Sequence, residues 1–334
     1  MAYHLPANPP LFFVLNGTSG GNDSSTTRQT IEAAMHSAGR TFHLFVIGEP
    51  NDIAATAQQA IDAAQAEGGV VVAVGGDGTI NAVANVALER GCVFGAIPQG
   101  TFNYFGRTHG IPEDIHGSLE DLLQGEPTPV QVGLVNGRVF LVNASVGLYP
   151  DLLEDREVFK QRYGRSRLVA MWSALVTAFG DHRYLDLEMD KEGERVHLRA
   201  TALFIGNNRL QLEQVGMREA EAVKQGQLAG IAVNHVGTLA MLWLAARGAF
   251  GSLGDADNVT GFSFRSLVVA SFGLLNKQPS TAQAPHLTGK GHKTKRRIKV
   301  AADGEIMWLQ APLEFRVAPE PLLLIKRRHN TDAA

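Results

Sequence analysis

Through its first third the chain alternates between strand-like and helix-like segments with a regularity that leaves few folds open. "PLFFVLN" is a short apolar run ending in a turn, "TTRQTIEAAMHSAG" has helical spacing and a glycine stop, and "TFHLFVI" alternates on a strand period. "DIAATAQQAIDAAQAEG" follows as an Ala/Gln-rich helix with Asp52 placed to cap it. Strand "GVVVAV", helix "TINAVANVALERG" and strand "VFGAIP" complete a β-α-β-α-β-α-β order. Such an order predicts a parallel sheet with helices on both faces, whose ligands sit beyond the carboxyl ends of the strands. The loops that close the first, third and fourth strands should therefore open on one edge.

The texture changes after "EPTP" at 126–129, which places a domain boundary near Pro129. "VQVGLVNGRVFLVNASVGL" reads as a hairpin turning at Asn136-Gly137. Further on, "VFKQRYGRSRLVAMWSALVTAFG" is helical, while "YLDLEMDKEGERVHLRATALFIGN", "QLAGIAVNHV", "GFSFRSLVVASFGLL", "RRIKVAADGEIMWLQAPLEFRVA" and "LLLIKRR" read as strands. The expectation is an α/β chain. Residues 10–129 are expected to form a parallel-sheet domain that the 319–328 segment can complete, and 130–318 a mostly antiparallel β domain with added helices. "NKQPSTAQAPHLTGKGHKTK" is the one linker-like stretch.

Composition sets the outer bounds. With 334 residues, 45% of them hydrophobic, the chain is long enough for two domains with their own cores. Lys and Arg number 30 against 33 Asp and Glu, so the formal charge of −3 gives no global reason to expect nucleic acid as partner. The single cysteine, Cys92, excludes an internal disulfide and a thiolate-rich zinc site, fits a reducing compartment, and reads as a buried strand residue. The start lacks a basic n-region, and the longest apolar runs, "LVAMWSALVTAF" and "TLAMLWLAARGAF", fall short of the roughly 20 residues of a membrane span. A cytoplasmic protein without a transmembrane segment is expected. The eleven histidines show no HExxH spacing, and His109 and His116 read as surface residues.

The three loops, "NGTSGGNDSS", "GGDGT" and "PQGTFN", share a chemistry. Glycines let backbone N–H groups approach an anion, the hydroxyls of Thr18, Ser19, Thr79 and Thr101 can donate to phosphate oxygens, and the helix beginning near Thr79 adds a positive dipole end. A nucleotide polyphosphate suits that set. Asp77 would repel phosphate directly, so its place is explained if it holds a magnesium ion or positions a reacting hydroxyl. A plain βα turn with Asp77 as helix cap is the competing explanation. No "GxxxxGK[ST]" and no "GxGxxG" opens a helix here, which excludes the ordinary P-loop and Rossmann sites.

"NGTSGG", "GGDGT" and "PQGTFNYFGR", followed by "FLVNASVGL" and a late "DGE", resemble the diacylglycerol kinase catalytic-domain family of bacterial soluble lipid kinases, which includes sphingosine and ceramide kinases. The resemblance runs from about Leu11 to Arg328. It implies an ATP-dependent lipid kinase with a nucleotide domain related to NAD kinases and a β-rich second domain. Carried over by residue, Asn16, Gly17, Thr18, Ser19 and Gly20 would hold ATP, Gly17 standing in place of the family's proline. Gly75, Gly76, Asp77, Gly78 and Thr79 would bind phosphates with Asp77 at the magnesium, and Gly100, Thr101 and Asn103 would touch the nucleotide. Glu305 matches the family's proton acceptor, with Asp303 beside it; taken alone, "AADGEI" reads as a hairpin turn. A lipid hydroxyl attacking the γ-phosphate needs such a carboxylate.

The sequence departs from the family pattern at Tyr104, where an aspartate usually follows the asparagine, and at Gln225, which replaces the aspartate of a second-domain magnesium turn; that structural magnesium is expected to be missing. The threonine that often follows the second strand is not obvious in "VIGEPND" either. Other readings stay open: an NAD-kinase-like enzyme with a soluble acceptor, or a non-catalytic nucleotide-binding protein. "GTSGG" also fits the GxSxG elbow of a serine hydrolase with Ser19 as nucleophile, although "NDSS" intervenes before any helix. The run "KGHKTKRRIKV" is either a solvated loop and strand edge or an attraction to anionic headgroups at the inner face of the membrane, where a lipid substrate would be met. Pairing into a homodimer is left open.

Overall fold

Four apolar runs become the parallel heart of the first sheet: β1 (Leu11–Asn16), β2 (Phe42–Ile47), β3 (Val70–Gly75) and β4 (Phe94–Pro98). Helices α1 (Ser24–Ser37), α2 (Ile53–Glu67) and α3 (Asp77–Arg90) connect them. The order is β2-β1-β3-β4 with every pair parallel. Strands covered on both faces must be apolar throughout, which is why β1, β3 and β4 are continuous apolar runs while the edge strand β2 alternates. Leu11, Phe13, Leu15, Val70, Val72 and Val74 pack on one face against Ile31 and Met35 of α1 and Leu119 and Leu122 of α5 (Ile115–Gln124). Helices α2 and α3 pack against each other, and α2 also packs on β1. Gly68 and Gly91 end them in the left-handed conformation (φ 65° and 62°), each donating its N–H to last-turn carbonyls.

The computed structural model describes residues 5–17, 24–49, 52–147, 150, 184–191, 193–234, 247, 251–275 and 297–327. They fall into two compact units, one made of 1–132, 138–142 and 318–334, the other of 133–137 and 143–317. The first unit is completed by β5 (Glu126–Val130) and β17 (Leu322–Lys326): β17 runs parallel beside β4, and β5 runs antiparallel beside β17. "EPTP", read above as a boundary, is thus part of a strand. It occupies the end of the sheet, where Pro127 and Pro129 can lack N–H groups without breaking an interior ladder. β7 (Arg138–Phe140) returns to α3, with Asn81 Nδ2 donating to the Val139 carbonyl (3.3 Å) and Val139 N–H donating to Asn85 Oδ1 (3.1 Å). Asp52 does precede α2 but makes no capping hydrogen bond. Cys92 is buried, in the turn before β4 rather than in the strand, and burial pushes its thiol pKa up to about 11.

The second unit is a largely antiparallel sheet. Its strands are β6 (Gly133–Val135), β8 (Asn143–Gly147), β9 (Tyr184–Lys191), β10 (Glu194–Gly206), β13 (Ser266–Leu275), β14 (Arg297–Ala302), β15 (Glu305–Gln310) and β16 (Leu313–Val317), in the order β15-β14-β8-β10-β9-β13-β16-β6. β11 (Leu228–Asn234) branches from β10 and pairs β12 (Val259–Phe264). "GFSFRSLVVASFGLL" is therefore two strands, since β12 pairs with β11 whereas β13 pairs with β9 and β16. Asn136 and Gly137, with φ of 47° and 81°, form the turn their sequence predicts. Short helices α6 (Arg209–Gln214) and α7 (Ala220–Lys224) supply Leu212 and Ala220 to a cluster with Met217, Ala229 and Ile231. The helix expected over 158–180 lies outside the described residues. No described helix is long and apolar enough to cross a membrane.

Candidate functional site

The chain leaves β1 for β2 on one side and then returns to β3 on the other, so the direction of winding reverses between β1 and β3. Connections that diverge from neighbouring strands leave a crevice outside their carboxyl ends. The ends of β1 and β3 border that crevice, and the loop after β4 lies next to it.

Hydrogen bonds tie the ends of β1, β3 and β4 together. Asn16 Nδ2, at the end of β1, donates to Thr79 Oγ1 in the first turn of α3 (2.9 Å). Gln99 N–H, after β4, donates to the Gly75 carbonyl (2.8 Å), and Gln99 Nε2 donates to Thr27 Oγ1 of α1 (2.9 Å). Gly75 has no room for a side chain, because a Cβ there would stand 2.8 Å from Thr79 Oγ1. At Gly100 a Cβ would come within 3.1 Å of the Gly76 Cα and 2.9 Å of Asn103 Oδ1. The glycines thus let two loops meet backbone to backbone.

Asn103 holds the third loop in shape. It is buried in the left-handed conformation (φ 47°), which asparagine tolerates, and its Oδ1 accepts from Gly100 N–H (2.8 Å). Beyond it α4 (Tyr104–His109) begins. Thr101 is exposed at the loop tip, beside Phe102, which is 58% exposed and stacks on Tyr104 with ring centroids 5.9 Å apart.

Asp77 is the first residue of α3, whose N-cap, Gly76, offers no side-chain acceptor to the helix's opening N–H groups. The Asp77 carboxylate does not cap its own helix. Desolvation by burial raises its pKa, opposed by hydrogen bonds from the backbone N–H groups of Phe105, Tyr104 and Asn103, so it caps the start of α4 instead. Its Oδ1 is buried and without a hydrogen-bond partner. A buried anionic oxygen left unpaired has a strong demand for a counter-charge. That suits a magnesium ion held by one carboxylate together with phosphate oxygens. Among the described residues no cluster of three His, Cys, Asp or Glu side chains offers an all-protein metal site.

Thr18, Ser19 and Gly20, and with them the hydrolase reading of Ser19, lie outside the described residues. Gly17 follows β1, and a Cβ there would make only ordinary contacts, the nearest being 3.5 Å from the Ile47 carbonyl oxygen. Asn16, Gly17, Gly75, Gly76, Asp77, Gly78, Thr79, Gly100, Thr101 and Asn103 all lie in one unit, at strand ends, in the turns beyond them or in the first turn of α3.

Glu305 and Asp303 lie in the other unit. Asp303 and Gly304, with φ of 48° and 89°, make the two-residue turn between β14 and β15. Asp303 N–H donates to the Asn143 carbonyl, and Asp303 Oδ1 accepts from Asn143 N–H, both at 2.9 Å. Asn143 Nδ2 in turn donates to Gln211 Oε1 (2.9 Å). Asp303 thus serves to fix the turn. Glu305 is the first residue of β15, opposite Ala302, and its side chain is exposed; the surrounding protein nonetheless partly desolvates the carboxyl and raises its pKa. Gln225 caps the end of α7, followed by Gly226 at φ 75°.

Sequence reasoning did not single out Gln99, Thr27, Phe102, Asn143 or Gln211 for this architecture. Gln99 and Phe102 carried a local signal by lying inside "PQGTFN", and Asn143 by lying inside "FLVNASVGL".

Residues 10–135, which contain all three loops, match the diacylglycerol kinase catalytic domain. Over 148 residues the chain is 34% identical to the "Probable lipid kinase YegS-like" protein of Pectobacterium atrosepticum, covering 43% of this chain and 47% of that one. Over 80 residues it is 44% identical to the diacylglycerol kinase of Staphylococcus aureus, covering 23% of this chain and 25% of that one. The chain therefore spans about half the length of the first relative and a quarter of the second. The crystal structure of a diacylglycerol kinase from Bacillus anthracis str. Sterne has the same fold, with a TM-score of 0.66 at 18% identity over 98% of this chain and 99% of that one.

Proposed function

We propose that this chain, whose residues 10–135 belong to the diacylglycerol kinase catalytic-domain family, is a lipid kinase that transfers the γ-phosphate of ATP to a lipid hydroxyl. The observation that carries the proposal is the junction of loops outside β1, β3 and β4. Thr79 is bonded to Asn16, Gly76 abuts Gly100, and the buried Asp77 Oδ1 has no partner. Backbone N–H groups at the start of α3 would receive the polyphosphate, and Asp77 would hold the magnesium that the phosphates carry. When bound, that ion offsets charge on the phosphoryl oxygens.

In the transfer, the lipid hydroxyl oxygen forms a bond to the γ-phosphorus while the bond to the β–γ bridging oxygen breaks, releasing ADP. The hydroxyl proton passes to the Glu305 carboxylate. Partial desolvation raises the Glu305 carboxyl above its ordinary value, which makes it a stronger base than an ordinary glutamate and suits it to that task. Asp303 positions Glu305 through the turn it fixes on Asn143. Tyr104 contributes its backbone N–H to the Asp77 carboxylate and its ring to the stack with Phe102, so a family carboxylate is exchanged here for an aromatic surface.

The test is phosphorylation from labelled ATP with magnesium in mixed micelles of diacylglycerol, monoacylglycerol, phosphatidylglycerol and sphingoid bases. Wild type should yield a labelled lipid, and Asp77→Ala and Glu305→Gln should each lower the rate by at least about a hundredfold. Absence of any labelled lipid from wild type, with ATP still bound, would overturn the reading.

A further inference from the structure

β15 is the last strand of its sheet among the described residues, yet it carries the uninterrupted apolar run Ile306, Met307, Trp308, Leu309. Soluble proteins usually guard such an edge with charge, proline or a bulge, and none interrupts this run. Trp308 is 53% exposed. Register fixes what surrounds it. Antiparallel partners share a face, so Trp308 lies with Lys299, Ile306 with Ala301, and Gln310 with Arg297. Lys299 Nζ stands 5.6 Å from the centre of the Trp308 ring. Glu305 is paired with Ala302, one residue out of step, and so projects from the opposite face of the hairpin.

That face combines an exposed indole with two cations and carries no acidic side chain from these paired positions. The sequence feeding into it has no Asp or Glu from Asn276 to Ala302. Indole rings and long basic side chains are the residues that settle at the boundary between headgroups and acyl chains. A second copy of the chain could also cover an apolar edge; the two cations set beside an exposed indole favour a surface of anionic headgroups over it.

We infer that the outward face of the β14–β15 hairpin, centred on Trp308, Lys299 and Arg297, docks the protein on bilayers containing anionic phospholipid. The inference deepens the lipid-kinase reading and rests on it for its purpose, although docking itself needs no catalysis. The indole enters the interface while Lys299 and Arg297 meet phosphate groups, leaving Glu305 on the other side of the same hairpin.

Co-sedimentation of the full-length protein, without nucleotide, with vesicles of phosphatidylglycerol and phosphatidylcholine tests it, with pure phosphatidylcholine vesicles as reference. Wild type should prefer the anionic vesicles and detach as NaCl is raised. Trp308→Ala should weaken binding about tenfold, and Arg297→Glu with Lys299→Glu by at least about twentyfold. Both variants should keep the wild-type melting temperature and the wild-type rate on dihexanoylglycerol, a dispersed short-chain acceptor. Wild-type affinity in both variants, or no preference for anionic vesicles, would overturn the inference. So would a dimer that Trp308→Ala dissociates in sedimentation equilibrium while vesicle binding is unchanged, since the edge would then belong to a second copy. Failure of wild type to phosphorylate dihexanoylglycerol or any micellar lipid would sink the kinase reading and leave the docking result standing.

Discussion

Gly76 and Gly100 face each other across two loops, yet they are not equivalent. A Cβ on Gly76 would sit 3.6 Å from the nearest atom, an ordinary contact, whereas one on Gly100 would press on Asn103 Oδ1 and the Gly76 Cα. Gly76→Ala should therefore keep the melting temperature but weaken ATP binding by a methyl placed in the proposed path of the phosphates; Gly100→Ala should lower both, by about 1–3 kcal/mol in stability. Calorimetry with and without magnesium-ATP distinguishes the two. Asp77 invites a sharper comparison. Its pKa is raised by burial, so the folded state favours the protonated form, and the stability this gives is present at low pH and lost as pH rises through the raised value. Asp77→Asn keeps an oxygen for the α4 N–H groups and removes the buried charge. Its melting temperature near neutral pH should equal or exceed that of wild type while lipid phosphorylation disappears. A marked drop in melting temperature would show that Asp77 serves α4 and not a ligand. "GGDGT" disclosed a turn made for close approach. It could not disclose that the Asp77 carboxylate meets N–H groups of residues 103–105, because that contact exists only once β3 and β4 lie side by side.

Elements were legible where burial is two-sided and contacts are near in sequence. β1, β3 and β4 are continuous apolar runs because helices cover both faces, and the glycines ending α2 and α3 mark their stops. β5 was not legible as a strand, since two prolines argue against an interior ladder and nothing local reveals that it lies at an edge. The α4 segment misled in a different way. His109 reads as a surface residue, yet it lies edge-on to Phe105 with ring centroids 4.7 Å apart, and desolvation, with repulsion from Lys326, lowers its pKa to about 4. Between about pH 6.5, where an unfolded histidine titrates, and the folded value near 4, the unfolded chain binds the extra proton. Stability should therefore fall as pH drops through that window. His109→Gln should flatten the fall, read as a smaller difference between urea midpoints at pH 5 and pH 7.5. An unchanged difference would place the acid sensitivity elsewhere.

At the scale of the whole molecule, the first unit is assembled from separated stretches of chain, with β17 inserted between β4 and β5. β5 makes its ladder with β17, and β4 meets β17 along its outer edge. Ending the chain after Val317 should leave β5 without that partner and bare the β4 edge. Amide hydrogens of β4 should then exchange far faster than in the intact protein, and ATP should no longer raise the melting temperature. Retained protection of β4 would contradict this. The strand that separates β4 from β5 is thus made long after the glycine loops beside it. A polypeptide stalled or clipped within its second unit would carry every glycine of these loops and still lack a finished sheet beneath them. The proposed nucleotide site is in this way tied to synthesis of the whole second unit, and shorter products are left open to proteolysis.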